Sequence, residues 1–198
     1  NRIEVSILVE NFKNYSMKYL FVFLIACLSF NSFGQNRYHK DSTTTIDNTF
    51  VLKSTKKAIT GLVYTTYDNG QLKYESSWKD GVVDGRCRSF HENGQPRGEQ
   101  NFKNGKRHGI ERKWYENGQL EYEWNYKDET LWVGQQRWWY DNGQLWIEKL
   151  YDENGKQNGI AKSWYASGQL KYEMKYKADT LISQKCWDED GNVIQCPE

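Results

Sequence analysis

An Asn-Gly-Gln-Leu signature recurs along the chain at intervals that leave few ways to fold it. It stands as NGQL at 69–72, NGQP at 93–96, NGQL at 117–120 and 142–145, SGQL at 167–170 and a drifted DGNV at 190–193. Its glycines, Gly70, Gly94, Gly118, Gly143, Gly168 and Gly191, lie 24, 24, 25, 25 and 23 residues apart. A second series, Gly61, Gly85, Gly109, Gly134 and Gly159, precedes each of the first five by nine residues. Two interleaved series in one register mean tandem copies of one small unit, stabilised by stacking on its neighbours.

Each unit decodes as a β-hairpin. Asn-Gly between β-rich segments predicts a two-residue type I′ turn, because both central residues need positive φ. After the turn the side chains alternate: Leu120, Tyr122, Trp124 and Tyr126 point one way, Gln119, Glu121, Glu123 and Asn125 the other. Period two is the mark of a half-buried strand. Before the turn, Trp114-Tyr115, Trp139-Tyr140 and Trp164-Tyr165 put one ring on either face. A two-residue turn sets Tyr115 opposite Leu120 and Gly109 opposite Tyr126, so the second glycine series would lie under aromatic rings. A longer or bulged turn would shift this register. A second turn follows each outgoing strand, at Lys79-Asp80-Gly81, Lys103-Asn104-Gly105, Lys127-Asp128-Glu129, Asp152-Glu153-Asn154-Gly155 and Lys177-Ala178-Asp179. The hairpins therefore chain into an all-β, elongated, single-layer antiparallel meander. Eleven or twelve strands at roughly 4.8 Å would span on the order of 50 Å. The repeat domain is expected over 61–198, as five repeats and a degenerate C-terminal cap in which Ile182 and Asp188 replace the glycine and the tyrosine.

The pattern W-Y-x-N-G-Q-L-x-Y-E, followed by an aromatic and a K-N-G turn, resembles the MORN repeat over 61–193. It is most similar to the variant found in bacterial YwqK-like antitoxins of toxin/antitoxin systems. The resemblance implies a single-layer hairpin array that serves as a scaffold or partner-binding surface. It brings no catalytic residue, and its antitoxin label sits poorly with an exported chain. Departures from the pattern are Pro96 for Leu, Gly98 for Tyr and Ile147 for Tyr.

Upstream of the repeats, Met17-Lys18 precedes an apolar run at 19–30 that is shorter than the about 20 residues a membrane-spanning helix needs. A basic start and a short apolar run predict a secretory signal peptide starting at Met17 and cleaved near Gly34/Gln35, within a segment covering 1–34. A buried core helix is the alternative. The tetrad 24–27 also resembles a lipoprotein box, in which Cys27 would carry the lipid. Residues 35–60 are polar without sustained period and read as a linker, with a short strand at 50–52. The 8 Phe, 9 Trp and 14 Tyr against 2 Pro argue for a folded body. With 27 Lys plus Arg against 26 Asp plus Glu, the chain has no field to recruit nucleic acid or an anionic membrane.

Chemistry-bearing constellations are sparse. His39, His91 and His108 fall at unrelated repeat positions and read as solvated side chains; no metal site or cofactor is expected. Glu75, Glu123 and Glu173 recur at a fixed place, with Lys73 and Lys171 two residues earlier, so cross-strand charge pairing is expected. The run 188–192 lacks the oxygen spacing of a calcium loop and reads as a capping turn. Cys186 and Cys196 flank Gly191 by five residues each, so a three-residue loop would let a disulfide close the last hairpin, leaving Cys87 unpaired and buried. Trp132, Trp138 and Trp146 break the repeat pattern in or beside the fourth unit, and the two-residue register puts Trp138 and Trp146 on the usually polar face. This local excess of rings is the expected contact patch.

These features predict an exported, non-enzymatic repeat scaffold whose extended sheet meets a protein partner or envelope component. They predict no nucleic-acid partner, and membrane contact only through a lipid on Cys27. A glycan-binding module and an antitoxin that neutralises a protein toxin are the alternatives.

Overall fold

The computed structural model describes residues 36–127 and 131–197. The expected signal peptide within 1–34, and Cys27 with it, lie outside the described residues.

Six consecutive hairpins form the body. They are β4 (Gly61–Thr66) with β5 (Leu72–Lys79), β6 (Val82–Phe90) with β7 (Pro96–Lys103), and β9 (Gly109–Trp114) with β10 (Leu120–Lys127). Then come β12 (Gly134–Trp139) with β13 (Leu145–Tyr151), β14 (Gly159–Trp164) with β15 (Leu170–Lys177), and β16 (Thr180–Trp187) with β17 (Val193–Ile194). Short strands β8 (Lys106–Arg107) and β11 (Leu131–Trp132) pair with β7 and β10. With β1 (Arg37–His39) added parallel to β4, these strands make one 15-stranded sheet whose main path runs in chain order from β4 onward. There is no α-helix among the described residues. The meander predicted from the repeat is thus the fold.

The signature turn is not the predicted two-residue type. Tyr115 N–H donates to Gln119 O at 2.9 Å and Gly118 N–H to Tyr115 O at 3.0 Å, which encloses three residues. Gly118 takes φ +84° while Asn117 keeps a negative φ, as in a type I turn followed by a glycine bulge. The bulge places Leu120 opposite Trp114 instead of Tyr115, yet Gly109 still faces Tyr126. The same pairing recurs as Gly61 with Trp78, Gly85 with Phe102, Gly134 with Tyr151 and Gly159 with Tyr176. At Gly109 the backbone is what demands glycine: φ is +85° and a Cβ would meet nothing nearer than 4.0 Å. Two-residue turns with both φ positive do occur, at the other end of the hairpins: Asp80-Gly81, Asn104-Gly105 and Ala178-Asp179.

A single layer has no second sheet to pack on, so its core lies within one face. The residues buried there, Ser76, Cys87, Glu111, Gln136 and Ala161, sit on the middle row of strand positions. Rings from the flanking rows lean over them. Trp78 Nε1 donates to Ser76 Oγ at 2.7 Å, Tyr122 O–H donates to Glu111 Oε1 at 2.8 Å, and Tyr122 stacks on Trp124 at 4.0 Å. This is the aromatic face.

Residues 36–60 are not a linker. After β1, a 3-10 turn at Lys40–Ser42 leads into a separate hairpin of β2 (Thr43–Ile46) and β3 (Thr49–Leu52) around a positive-φ Asp47-Asn48 turn. Phe50 stacks on Trp78 at 4.3 Å and joins Ile59 and Val63 in the one hydrophobic cluster found among the described residues. Backbone bonds from Phe50 N–H to Gly81 O at 2.9 Å and Gly81 N–H to Ile59 O at 2.8 Å fasten this segment to the first repeat. The first repeat has no predecessor to cover Val63 and Trp78, and 36–60 supplies that cover.

Candidate functional site

On the face opposite the Tyr122–Trp124 stack, directly paired residues run Glu75, Arg88, Glu99, Arg112, Glu123, Arg137, Glu148, Lys162, Glu173, Lys185. Acid and base alternate across ten successive strands of the main path, from β5 to β16. Arg88 bonds Glu75, Arg112 reaches Glu123 at 2.7 Å, Arg137 reaches Glu148 at 3.0 Å and Lys162 reaches Glu173 at 3.2 Å. Charge pairing therefore uses these glutamates, but with partners on the neighbouring strand and not with Lys73 or Lys171. Those two lysines lie over the Tyr67 and Tyr165 rings, each at 5.1 Å.

Along the turn edge, each repeat holds the next. Tyr67 O–H donates to Phe90 O at 2.7 Å, Tyr115 to Trp139 O at 2.9 Å, Tyr140 to Trp164 O at 2.9 Å and Tyr165 to Trp187 O at 3.0 Å. Asn117 Oδ1 accepts from Gln119 N–H at 3.0 Å, while its Nδ2 donates to Asp141 O at 2.7 Å in the following turn. Asn142 repeats both bonds. His91 occupies the tyrosine place of its repeat, with a ring nitrogen donating to Trp114 O at 3.1 Å, so it is no solvated side chain. His39 is also engaged, edge-on to Tyr64 at 5.4 Å.

Five stretches, 59–80, 83–104, 107–128, 132–153 and 157–178, match the MORN repeat variant, together more than half of the sequence. The chain belongs to the MORN repeat variant family. No curated protein matches it. The MORN matches ending at 80, 104, 153 and 178 stop in or beside connecting turns, and each of the five holds one signature turn at its centre.

Trp138 and Trp146 of the fourth MORN repeat do not share one patch. Trp138 pairs with Ile147 and Tyr122 and packs edge-on against Trp124 at 5.8 Å, on the aromatic face and not on the polar one. The bulge between Trp138 and Trp139 separates its register from that of Trp146. Trp146 is 42% exposed and lies 5.6 Å from the Tyr140 ring, in the place where other repeats set a lysine over tyrosine. The Trp132 backbone pairs with Tyr126, and its side chain lies outside the described ones. Cys186 and Cys196 are joined in a disulfide with Cα atoms 5.2 Å apart, and Cys87 is free and buried.

Sequence reasoning passed over a cleft of about 180 Å³ on the aromatic face of the second repeat. Tyr74, Cys87, Gly98, Gln100, Glu111 and Tyr122 contribute to its lining. Burial, then the nearby Cys87, holds the Tyr74 phenol well above its ordinary range; burial, then Glu111, does the same for Tyr122. Burial also pushes the Cys87 thiol up, which makes it a poor nucleophile. The signal for this cleft was present in the sequence as Gly98 standing where the pattern has tyrosine.

Proposed function

We propose that this chain is an exported, non-enzymatic repeat scaffold that offers its extended sheet to a protein partner or an envelope component. The observation that carries this reading is the use made of the recurring polar groups. Tyrosine hydroxyls, signature asparagines and alternating charges bond one strand or repeat to the next. A general acid, base or nucleophile must instead converge with others on a reacting atom. Among the described residues no group of three His, Cys, Asp or Glu side chains could hold a metal ion. The alternating row balances its own charge, so it favours neither nucleic acid nor an anionic membrane. Export rests on the apolar run at 19–30, and any membrane contact on a lipid at Cys27. Affinity capture from the native envelope, followed by mass spectrometry, tests the reading. A recurrent protein partner is the expected result; recovery of the uncleaved chain in the cytosol would overturn export and favour the antitoxin reading.

One observation favours a second reading, glycan binding. Trp146 is exposed beside the Tyr140 ring and could stack on a sugar. Saturable heat on titration with cell-wall saccharides, lost in Trp146→Ala, would support it.

A further inference from the structure

We propose that the cleft at Gly98 is a binding site for a tyrosine side chain presented by a partner protein. This rests on the protein-binding reading above and specifies the chemistry of one contact.

One row of the aromatic face carries Tyr74, Gly98, Tyr122, Ile147 and Tyr172, each two residues after the end of a signature. Four repeats place a large side chain there and the second places none. The backbone does not explain the glycine. Gly98 has no left-handed φ, and a Cβ would meet only the rotatable Ser89 hydroxyl at 3.0 Å and Arg112 O at 3.8 Å. A side chain would fit, and its absence leaves the cleft of about 180 Å³ between Tyr74 and Tyr122. Tyr74 does not fill it: the residue stays 40% exposed.

The surroundings match a phenol. Elsewhere in this sheet tyrosine rings are held in two ways. The hydroxyl finds a polar atom of the sheet, as Tyr122 does on Glu111 at 2.8 Å. A cation lies over the ring, as Arg107 does over Tyr126 at 4.6 Å and Lys171 over Tyr165 at 5.1 Å. At Gly98 both kinds of group line the cleft: Ser89 and Gln100 supply polar atoms, and Arg97 and Lys113 supply cations, the Lys113 ammonium also reaching Glu121 at 2.8 Å. The electron-rich faces of an entering ring suit these cations, and its hydroxyl suits the polar side chains.

The test uses p-cresol, the tyrosine side chain without its backbone, titrated into the isotope-labelled full chain and followed by amide chemical shifts. The expected result is saturable shifts at Cys87, Ser89, Gly98 and Gln100, with toluene binding about tenfold more weakly for want of one hydrogen bond. Gly98→Tyr should abolish the shifts while keeping Tm at or above that of the parent; Gly98→Leu serves the same end should the larger variant fail to fold. The proposal is overturned by absent shifts up to the solubility limit of p-cresol, by shifts that persist in the infilled variant, by equal binding of toluene, or by methyl glucoside saturating the same amides in preference. An envelope partner captured equally by parent and Gly98→Tyr would leave the scaffold reading in place and remove this site from it.

Discussion

Tyr115 touches two repeats at once. Its backbone closes its own turn, and its hydroxyl donates to Trp139 O in the next. Tyr115→Phe keeps the ring and deletes that bond alone, so a loss of about 1 kcal/mol is expected. Asn117→Ala removes both an acceptor for Gln119 N–H and a donor to Asp141 O, with an expected cost of about 2 kcal/mol. Urea unfolding followed by tryptophan fluorescence reads both, and equal midpoints for Tyr115→Phe and the parent would show that the ladder contributes nothing. Burial also raises the phenols of Tyr74 and Tyr122, the latter further through Glu111. Above about pH 10 an unfolded tyrosine releases its proton while these two retain theirs, so their contribution is complete below that pH and is lost as pH rises through the folded values. The slope of stability against pH above 10 should be shallower in Tyr122→Phe, provided the variant folds.

At the scale of strands and turns, the alternation of acid and base across ten strands specifies register. Sliding one strand by a residue would carry its charge to the aromatic face and leave its neighbours unpaired. Arg137→Glu sets a carboxylate between Glu123 and Glu148 and is expected to cost about 1 kcal/mol, less in 1 M salt. Glu148→Arg in the same chain should recover part of the loss; no recovery would mean the row is decoration. Much of this level was legible. The period gave the hairpins and the pairing of Gly109 with Tyr126, since both lie beyond the bulge. The turn type was not legible, because Asn-Gly suits both a two-residue turn and a type I turn closed by a glycine bulge; in the latter, Asn117 reaches the following repeat. Beyond the bulge the register is the one a two-residue turn also gives, so the pairing of Glu123 with Arg112 and of Trp138 with Ile147, which sets Trp138 on the aromatic face, was legible as well. The cleft at Gly98 was visible as a departure from pattern, but its meaning depends on which rings stand beside it, and that comes from strand pairing.

For the sheet taken whole, the ends decide stability, because interior repeats are covered by neighbours and terminal ones are not. At the C-terminal end the Cys186–Cys196 disulfide closes the last hairpin, and its loss by reduction should release β16 and β17 first, by about 3 kcal/mol on loop-closure arguments. Hydrogen exchange would then rise there while the central strands stay protected. The other end is covered by 36–60, which the sequence disguised: its threonines count as polar in composition, yet they are β-branched strand formers, and its few apolar residues include the buried Phe50, Val51 and Ile59. Removing 36–60 would uncover Val63 and one side of Trp78 and strip Gly81 of its backbone partners. In an array held by neighbour contacts this loss is local at first, so β4 and β5 should exchange freely while β9 to β15 keep their protection. Uniform loss of protection along the whole sheet would instead mean that the repeats fold as one cooperative unit, with the first hairpin serving as the foundation for all the others.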